Sequence, residues 1–442
     1  MSSVLGTPLP ANWTATRLKH VTSLLNRGSA PNYVEEGPVR AVSQAANQAG
    51  GLNWSRARFH DFSGNPENLK GYLRPHDVLI NSTGTGTLGR IGYFEKSPDA
   101  LPCMADSHVT IARANPDELD ARFSYYWLGS RPFQEYVYAA LVVGATNQIE
   151  LNRDRLGDAP VPLPPTEEQR RIAEYLDAET TRIDQLSASR RQQISALDER
   201  ELAVIAEMLS GGATRDNGQP TGWPWLPYIP TDWIIGPVYA YYLTELGKML
   251  NSDRASGDRQ LPYLRNANVH WYEIDSSDMA TMHFDPAETR RYSVKAGDLL
   301  VCEGGAGVAE AAVWDGRIDD CYFQKSLHRV RQDGPLPVEW LMFWLRFAKS
   351  CGVFEADGNI ATIPHLTGEQ LREYRIPIPN DAQARVAKTV RALTAMGDAR
   401  AHLQQAQALL AERRQALITA AVTGQFDVST ASGRNVTDGV HP

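Results

Sequence analysis

The sequence repeats itself after about 220 residues, and this duplication constrains the fold more than any other feature. The spacing between matched residues falls from 220 at Trp13 and Trp233 to 214 at Gln169 and Gln383, as loops of unequal length would cause. Repeats of roughly 20 to 50 residues form solenoids, so a period this long indicates two copies of a whole domain. The matched segments are 10–13 with 230–233, 71–80 with 291–300, 126–128 with 343–345, 161–164 with 376–379, and 168–173 with 382–387.

The composition describes an ordinary globular chain with room for two or three domains. Of its 442 residues, 42% are hydrophobic and 22% are charged. No apolar run approaches the ~18 residues that a membrane span needs, and the N-terminus has no signal-peptide pattern. The four cysteines form no metal-ligand cluster, so we expect reduced thiols and a cytoplasmic protein without membrane contact.

The charge distribution limits how the chain could bind nucleic acid. The net charge is -8, and residues 1–160 carry equal numbers of basic and acidic side chains. No segment is a basic arm. A DNA-binding chain of this composition must use local patches and take positive charge for phosphate contacts from a partner.

Each repeat begins with short strands and turns, which predict an α+β fold class. Short runs of β-branched residues are bounded by Gly, Pro, Asn and Asp, and one shorter helix with aromatic residues at helical spacing follows in each copy. The predicted strands are 77–81, 91–94, 109–112, 297–301 and 327–330, and the predicted short helices are 124–138 and 338–349.

Each repeat ends with a long helix of some 40 residues. Thr166 with Gln169, and Asn380 with Gln383, predict capping boxes at the two starts. Apolar residues then recur at heptad spacing, which indicates an antiparallel coiled coil between the two helices. These positions are Leu176, Ile183, Leu197 and Val204 in the first helix, and Met396, Leu403, Leu410 and Leu417 in the second.

Three segments resemble the specificity subunits of type I restriction-modification systems. Residues 162–176 resemble the start of the central helix in that family, and residues 262–269 and 295–300 resemble parts of its target recognition domains. The order of domain, long helix, domain, long helix covers essentially the whole chain. The resemblance implies recognition domains at 1–160 and 213–375, long helices at 161–212 and 376–428, and a disordered tail at 429–442.

The resemblance also implies the function and the partners. Each recognition domain would read one half of a bipartite site in double-stranded DNA, and the helix pair would act as a spacer that fixes the gap. Two modification (methyltransferase) subunits would bring S-adenosylmethionine, and restriction subunits would use ATP and Mg, so this chain needs no cofactor of its own. It contains no methyltransferase tetrad, P-loop or metal cluster, which predicts a protein without catalytic activity. The alternatives are a self-sufficient DNA methyltransferase or nuclease, and a scaffold subunit that reads no sequence.

The candidate DNA contacts are polar residues in turns and at strand ends. A structural role remains the alternative for each: the turn at 84–89 matches GxGxxG, but the strand predicted after it argues against a dinucleotide site. Most tryptophans are expected in the core. The candidate residues in the first copy are Arg40, Ser43, Gln44, Ser82, Thr83, Thr85, Thr87, Arg90, His108 and Asn147; those in the second are Arg265, Asn266, Asn268, Gln324, Lys325, Ser326 and Asn359.

The candidate partner contacts lie in the first turns of the long helices. The resemblance assigns modification-subunit binding to Glu168, Gln169, Arg171, Gln383 and Arg385. In the second copy Ala382 stands where the first has Glu168, which is expected to weaken the second contact.

Overall fold

The computed structural model describes residues 2–48, 50–84, 86–143, 149–250, 256–356 and 365–428. The chain divides into two compact units, which are described separately below. Unit 1 consists of Met1–Arg190 and Gln405–Pro442, and unit 2 consists of Arg191–Gln404. Each unit therefore contains one repeat of strands together with a stretch of both long helices, so the compact bodies differ from the segments expected from the sequence.

Unit 1 is built on two four-stranded sheets of short, largely buried strands. The main sheet is antiparallel, and its inner strand Asp77–Asn81 is buried along its whole length. Val78 and Ile80 face one core cluster while Leu79 faces another, as the period-two alternation of a strand requires. In spatial order the main sheet has Ile91–Phe94, Asp77–Asn81, Val109–Ala114 and Thr22–Arg27; the second has Cys103–Ala105, Val39–Val42, Arg58–His60 and Tyr33–Val34.

The remaining elements of unit 1 are two-stranded pairs and short helices. The strand pairs are Ser3–Val4 with Thr7–Pro8, Asn47–Gln48 with Gly51–Leu52, Thr14–Arg17 with Pro160–Leu163, and Val142–Val143 with Glu150–Leu151. The helices and single turns are Leu18–His20, Trp54–Arg56, Pro66–Asn68, Ala121–Gly129, Arg131–Tyr136, Val137–Leu141 and Arg153–Gly157. The continuous helix expected at 124–138 is interrupted at Ser130, because Pro132 cannot continue a helix from the preceding turn.

Unit 2 repeats the four-stranded main sheet of unit 1 and three strands of its second sheet, which confirms the α+β fold with an internal repeat. Its main sheet has, in order, Ala311–Val313, Leu299–Cys302, Leu327–Gln332 and Tyr242–Leu246, and its second sheet has Tyr322–Phe323, Gln260–Leu264 and Ala280–His283. The strand pairs are Gly218–Pro220 with Tyr228–Pro230, Val269–His270 with Glu273–Ile274, and Ile234–Pro237 with Arg375–Ile378. The helices and single turns are Val238–Ala240, Asn266–Asn268, Pro286–Tyr292, Val338–Ser350, Val353–Ala356 and Gly368–Glu373.

A buried carboxylate explains why residues 71–80 recur at 291–300. Asp77 is fully buried, accepts the backbone N–H of Arg74 at 2.7 Å and pairs with the Arg113 guanidinium at 2.7 and 2.8 Å. In unit 2 Asp298 makes the same contacts with the N–H of Lys295 and with Arg331. Each aspartate thus closes a turn and ties it to the neighbouring strand.

Replacing Asp77 with alanine is expected to destabilise unit 1 by ~3–5 kcal/mol, because the largely buried Arg113 guanidinium would lose its counter-charge. Asp298→Ala should do the same in unit 2. Thermal unfolding of the full chain measures the effect, with Arg131→Ala as the control, because its ion pair with Glu135 is exposed to solvent and contributes little to stability. Equal losses for Asp77→Ala and the control would contradict this role.

The two long helices are Thr166–Ser210 and Ala382–Val422, here called the central helix and the C-terminal helix. In unit 1 the start of one lies antiparallel to the end of the other: Tyr175 contacts Phe426, and Asp184 pairs with Arg414 at 3.4 Å. In unit 2 the end of the central helix contacts the start of the C-terminal helix through Arg400. The coiled-coil prediction is therefore confirmed within each unit.

The two capping boxes expected at the helix starts are absent. The central helix begins at Thr166 itself, after Pro165, whose carbonyl accepts the first helical N–H groups. A proline has no N–H for a capping box to satisfy, so Gln169 makes other contacts. The C-terminal helix begins at Ala382 and is capped through the carbonyl of Asp381 rather than by Asn380.

Candidate nucleic-acid interface

The fold brings the candidate DNA contacts of each repeat together at equivalent positions. The N–H of Asp106 donates to Val42 in unit 1, and the N–H of Gln324 donates to Leu264 in unit 2. In the same way, the N–H of Ser82 donates to the carbonyl of His108 in unit 1, and the N–H of Glu303 donates to the carbonyl of Ser326 in unit 2. By these matched hydrogen bonds, Gln44 is equivalent to Asn266, Thr83 to Gly304, and His108 to Ser326.

In unit 1 these side chains form one hydrogen-bonded cluster. The Thr83 hydroxyl donates to Gln44 Oε1 at 3.1 Å and lies 2.8 Å from His108 Nδ1. The Thr87 hydroxyl lies 3.4 Å from the same Gln44 oxygen and 3.1 Å from the carbonyl of Thr83. His108 is exposed, while Gln44, Thr83 and Thr87 are half-buried. The cluster is thus accessible to a ligand and rigidly supported from beneath.

Arg90 lies beside this cluster and is held by the loop at 47–48. Its guanidinium donates to Gln48 Oε1 at 2.8 Å, to the carbonyl of Asn47 at 3.4 Å and to that of Gly86 at 3.4 Å. None of these acceptors is charged. The half-buried Arg90 therefore keeps its full positive charge at the edge of the cluster, where a phosphate could approach.

The glycine-rich turn at 84–89 is a tight connection between two strands. Gly84, Gly86 and Gly89 have φ values of +97°, +80° and +80°, which favour glycine. The strand Ile91–Phe94 follows, as predicted, where a dinucleotide site would need a helix. The turn therefore does not form a dinucleotide-binding loop.

Two candidate DNA contacts are wrong, because their side chains are buried and fully bonded. The Ser82 hydroxyl bonds to the hydroxyl of Thr110 at 2.5 Å, and Ser82 has no exposed surface. Asn268 accepts the N–H of Arg265 at 3.0 Å and donates to the carbonyls of Asp275 and Asp278 at 2.9 and 3.0 Å. Asn268 therefore shapes the turn that precedes it and has no atom left for DNA.

Arg40 and Ser43 flank the unit 1 cluster. The Arg40 guanidinium pairs with Asp99 at 2.6 Å and lies 4.7 Å from the centroid of the Phe59 ring. Burial raises the pKa of Asp99, but the hydrogen bond and charge of Arg40, together with backbone hydrogen bonds such as that from Leu101, hold that pKa below its usual value. Ser43 contributes its carbonyl to the turn at 43–47. Arg40 is therefore compensated, and DNA contact remains a prediction for both residues.

In unit 2 the equivalent cluster has different chemistry. Arg265 pairs with the exposed Asp278 at 2.7 Å. Asn266 donates from its amide nitrogen to the carbonyl of Gly304 at 2.8 Å and from its backbone to the Ser326 hydroxyl at 3.2 Å. Gln324 lies half-buried beneath it, and Lys325 is exposed. Unit 2 therefore offers a cationic side chain where unit 1 offers Ser107.

Three candidates, Thr85, Asn147 and Asn359, lie outside the described residues. The first described residues after the gaps that contain Asn147 and Asn359 border the clusters. Glu150 forms a bridge with Thr83 in unit 1, and His365 forms one with Gly304 in unit 2.

The clusters also include two acidic residues that are not among the candidate contacts. Asp106 is buried under the unit 1 cluster and accepts a hydrogen bond from Tyr33 at 3.3 Å. Burial raises the pKa of the Asp106 carboxyl, and burial together with this carboxylate raises the pKa of Tyr33 to about 12. In unit 2 Glu303 lies 3.9 Å from His365. Their alignment with candidate residues of the other copy could have identified Asp106 and Glu303.

The candidate partner contacts have two different surroundings. Glu168 accepts hydrogen bonds from Asn12 and from the Trp13 indole, both at 3.0 Å. Gln169 is fully buried and is bonded to the backbone of Glu118, Asp120 and Pro164, at 3.0, 2.8 and 2.9 Å. Gln169 therefore fixes the helix start, and its predicted partner contact is corrected to a structural role.

The other three partner candidates lie at the surface. Arg171 and Gln383 are exposed, and Arg385 is half-buried. Arg385 pairs with Asp381 at 2.7 Å and lies 4.8 Å from the centroid of the Trp233 ring. Partner binding by these three residues and by Glu168 remains a prediction.

No metal site or membrane span occurs in the part of the chain that the structure describes. Among those residues, no three His, Cys, Asp or Glu side chains are grouped so that they could hold a metal ion. No described helix is both long and apolar enough to cross a membrane.

Together, the fold and the clusters define a class of recognition protein in which one duplicated scaffold carries two unlike polar surfaces. A family model described as the type I restriction modification DNA specificity domain matches residues 43–196. Two solved structures share the fold at 18% identity and cover 95% of this chain. One comes from work on complex assembly and conformational transition of the type I R-M system. It has a TM-score of 0.72, and the match covers 100% of its own chain. The other is the HsdS subunit of Thermoanaerobacter tengcongensis, with a TM-score of 0.51 and a match that covers 99% of its chain.

Curated relatives agree with the family model. The chain is 30% identical over 300 residues to the type I restriction enzyme EcoKI specificity subunit of Escherichia coli K12, which covers 66% of this chain and 61% of that protein. It is 24% identical over 232 residues to the putative MjaX specificity subunit of Methanocaldococcus jannaschii, which covers 51% and 52%. The match thus spans about half to three fifths of these relatives. The chain is therefore similar in sequence and in fold to the specificity subunits of type I restriction-modification systems.

Proposed function

We propose that the chain is the sequence-specific DNA-binding subunit of a type I restriction-modification complex. Each unit reads one half of a bipartite target in double-stranded DNA through its polar cluster and the loops around it. The similarity to type I specificity subunits supports this proposal, and the duplicated scaffold supplies two recognition surfaces within one chain.

The observation that carries the proposal is a contrast between the two units of this one chain. Their backbone hydrogen bonds are equivalent, but the side chains of their polar clusters differ. Equivalent backbone bonds hold Gln44, Thr83 and His108 in unit 1, and Asn266, Gly304 and Ser326 in unit 2. Buried scaffold residues such as Asp77 and Asp298 are the same in both units. A surface that differs on an unchanged scaffold is what two different base sequences require, since base-edge contacts carry the specificity.

The partners follow from the same proposal. Two modification subunits bind at the starts of the long helices and bring S-adenosylmethionine, and restriction subunits bring ATP and Mg. The long helices act as the spacer that sets the gap between the half-sites. The chain itself is non-catalytic and cytoplasmic. Its net charge of -8 is consistent with DNA binding that depends on partner subunits for much of the phosphate contact.

The experiment is methylome sequencing of cells that express this chain with the modification subunit encoded beside it. A new bipartite motif with a fixed gap, absent when this chain is omitted, is the expected result. Methylation by the purified chain alone would instead favour a self-sufficient methyltransferase, and cleavage of DNA by it a nuclease. A bound and active modification subunit without any new motif would favour a scaffold.

A further inference from the structure

The unit 1 cluster contains a chain of hydrogen bonds whose proton positions can be worked out. Thr83 has one hydroxyl proton and touches both Gln44 Oε1, at 3.1 Å, and His108 Nδ1, at 2.8 Å. An amide oxygen can only accept, so the hydroxyl proton goes to Gln44. The contact with His108 then needs a proton on Nδ1. This is the assignment that gives each of the two short contacts one proton.

This assignment fixes which groups the cluster presents outward. A neutral imidazole with a proton on Nδ1 carries a lone pair on Nε2, so the exposed His108 offers an acceptor. The Gln44 amide oxygen is occupied by the Thr83 hydroxyl and lies near that of Thr87, so its NH₂ group is the part that remains to donate. The cluster therefore presents a donor on Gln44 and an acceptor on His108, and Thr83 joins the two side chains.

The turn beneath holds this arrangement in place. A Cβ atom added at Gly84 would lie 2.7 Å from Gln44 Oε1, so the backbone of the turn lies directly against the amide. The His108 backbone N–H donates to the Asp106 carboxylate at 2.8 Å, and Asp106 is buried. Both ends of the hydrogen-bond chain are thus fixed before any ligand arrives, which lowers the entropy cost of binding.

We propose that Gln44 and His108 read an adenine in the major groove, with Thr83 as the positioning residue between them. Adenine presents an acceptor at N7 beside a donor at N6, and a donor next to an acceptor is its complement. Guanine presents two acceptors there and cytosine a donor, so neither matches both groups. The inference rests on the proposed DNA-reading function and adds the base and the residues that select it.

Unit 2 has no equivalent of the hydrogen-bonded chain formed by Gln44, Thr83 and His108 among its described residues. Asn266 occupies the position of Gln44, but its amide nitrogen donates to the carbonyl of Gly304, and Gly304 has no hydroxyl to replace that of Thr83. Ser326 occupies the position of His108. The adenine contact therefore belongs to the half-site that unit 1 reads.

The test is the methylome of cells that express the full chain with its modification subunit, comparing the wild type with His108→Asn and Gln44→Glu. Asparagine keeps a donor near the position of Nδ1 but removes the Nε2 acceptor, so preference at one adenine of one half-site should fall on the order of 10- to 100-fold. Glutamate replaces the donor with an acceptor, so the same position should shift from adenine towards cytosine. Thr83→Val should relax that position in the same way as His108→Asn.

Arg131→Ala, at an exposed position outside both polar clusters, is the control and should leave both half-sites unchanged. The second half-site, still methylated in every unit 1 variant, shows that the chain folds and assembles. An unchanged base preference in both His108→Asn and Gln44→Glu, with a normal bipartite motif in the wild type, would overturn this inference alone. A wild type without any bipartite motif would overturn the proposed function.

Discussion

Exchanging residues 12–160 for the first recognition domain of another specificity subunit should replace one half of the DNA target and leave the other half intact. The main sheet, the second sheet and the polar cluster of unit 1 all lie within this segment. The side chains of the unit 2 cluster come entirely from residues 265–326. Methylome sequencing of the chimera measures the outcome. A chimera in which both half-sites change would contradict the assignment of one half-site to each unit.

The chimera should fold and methylate DNA only if the contacts between the exchanged segment and the central helix are kept. Arg122 donates to Asp177 of the central helix at 2.6 Å, and the Tyr126 hydroxyl donates to the same carboxylate at 2.5 Å. A donor domain therefore needs an arginine and a tyrosine at these two positions. A matched chimera that carries phenylalanine and leucine there should fold less stably and lose methylation at both half-sites, because the complex would not assemble.

Replacing Glu201 with alanine should destabilise unit 2 by ~3–5 kcal/mol, the largest stability effect that we expect from a single residue of the long helices. This carboxylate is buried and accepts hydrogen bonds from Tyr272 at 2.9 Å, Arg346 at 3.0 Å and Arg400 at 3.1 Å. Its removal would take away the counter-charge of Arg346 and one of the two carboxylates that pair with Arg400. Asp198→Ala is the matched control, because Asp198 pairs with Arg400 alone and is exposed, so it should cost less than ~1 kcal/mol.

The effect of Glu201 should depend on pH. Burial would raise the pKa of this carboxyl, but the charge and hydrogen bond of Arg346, together with the hydrogen bonds of Tyr272 and Arg400, hold that pKa below its usual value. A lowered pKa means that the folded state favours the ionised form. The stabilisation is therefore complete above the unfolded pKa of about 4.3 and is lost as the pH falls through the folded value. Urea unfolding of the wild type and Glu201→Gln should differ at pH 7 and converge at acid pH; a constant difference would contradict the ion pair.

The duplicated architecture could be predicted because its causes are local in the sequence. The strand at 77–81, the long helices and their heptad positions rest on periodicity, and Asp77 recurs as Asp298 because one turn needs it twice. The capping box at Thr166 could not be judged from spacing alone. Its failure depends on contacts between Gln169 and the backbone at 118–120, about 50 residues away in sequence.

The candidate site could be predicted only in part, for the same reason. The sequence indicated polar residues in turns as a group, yet Ser82 and Asn268 are buried while Gln44 and His108 both contact Thr83. Burial depends on which strand lies behind each turn, and a single sequence does not contain that information. The proton arrangement around Thr83 depends on three segments that are distant in sequence, so it follows from the structure alone.

The tryptophan that recurs at the start of each repeat has a consequence for how such proteins can diversify. In unit 1 Asn12 and Trp13 both donate to the carboxylate of Glu168. In unit 2 Ala382 occupies that helix position, and Trp233 lies against the Arg385 guanidinium instead. A gene segment moved from the second position to the first would bring Asp232 towards Glu168 and set two negative charges against each other. Recombination should therefore shuffle recognition domains between proteins at the same position far more readily than between the two positions of one protein.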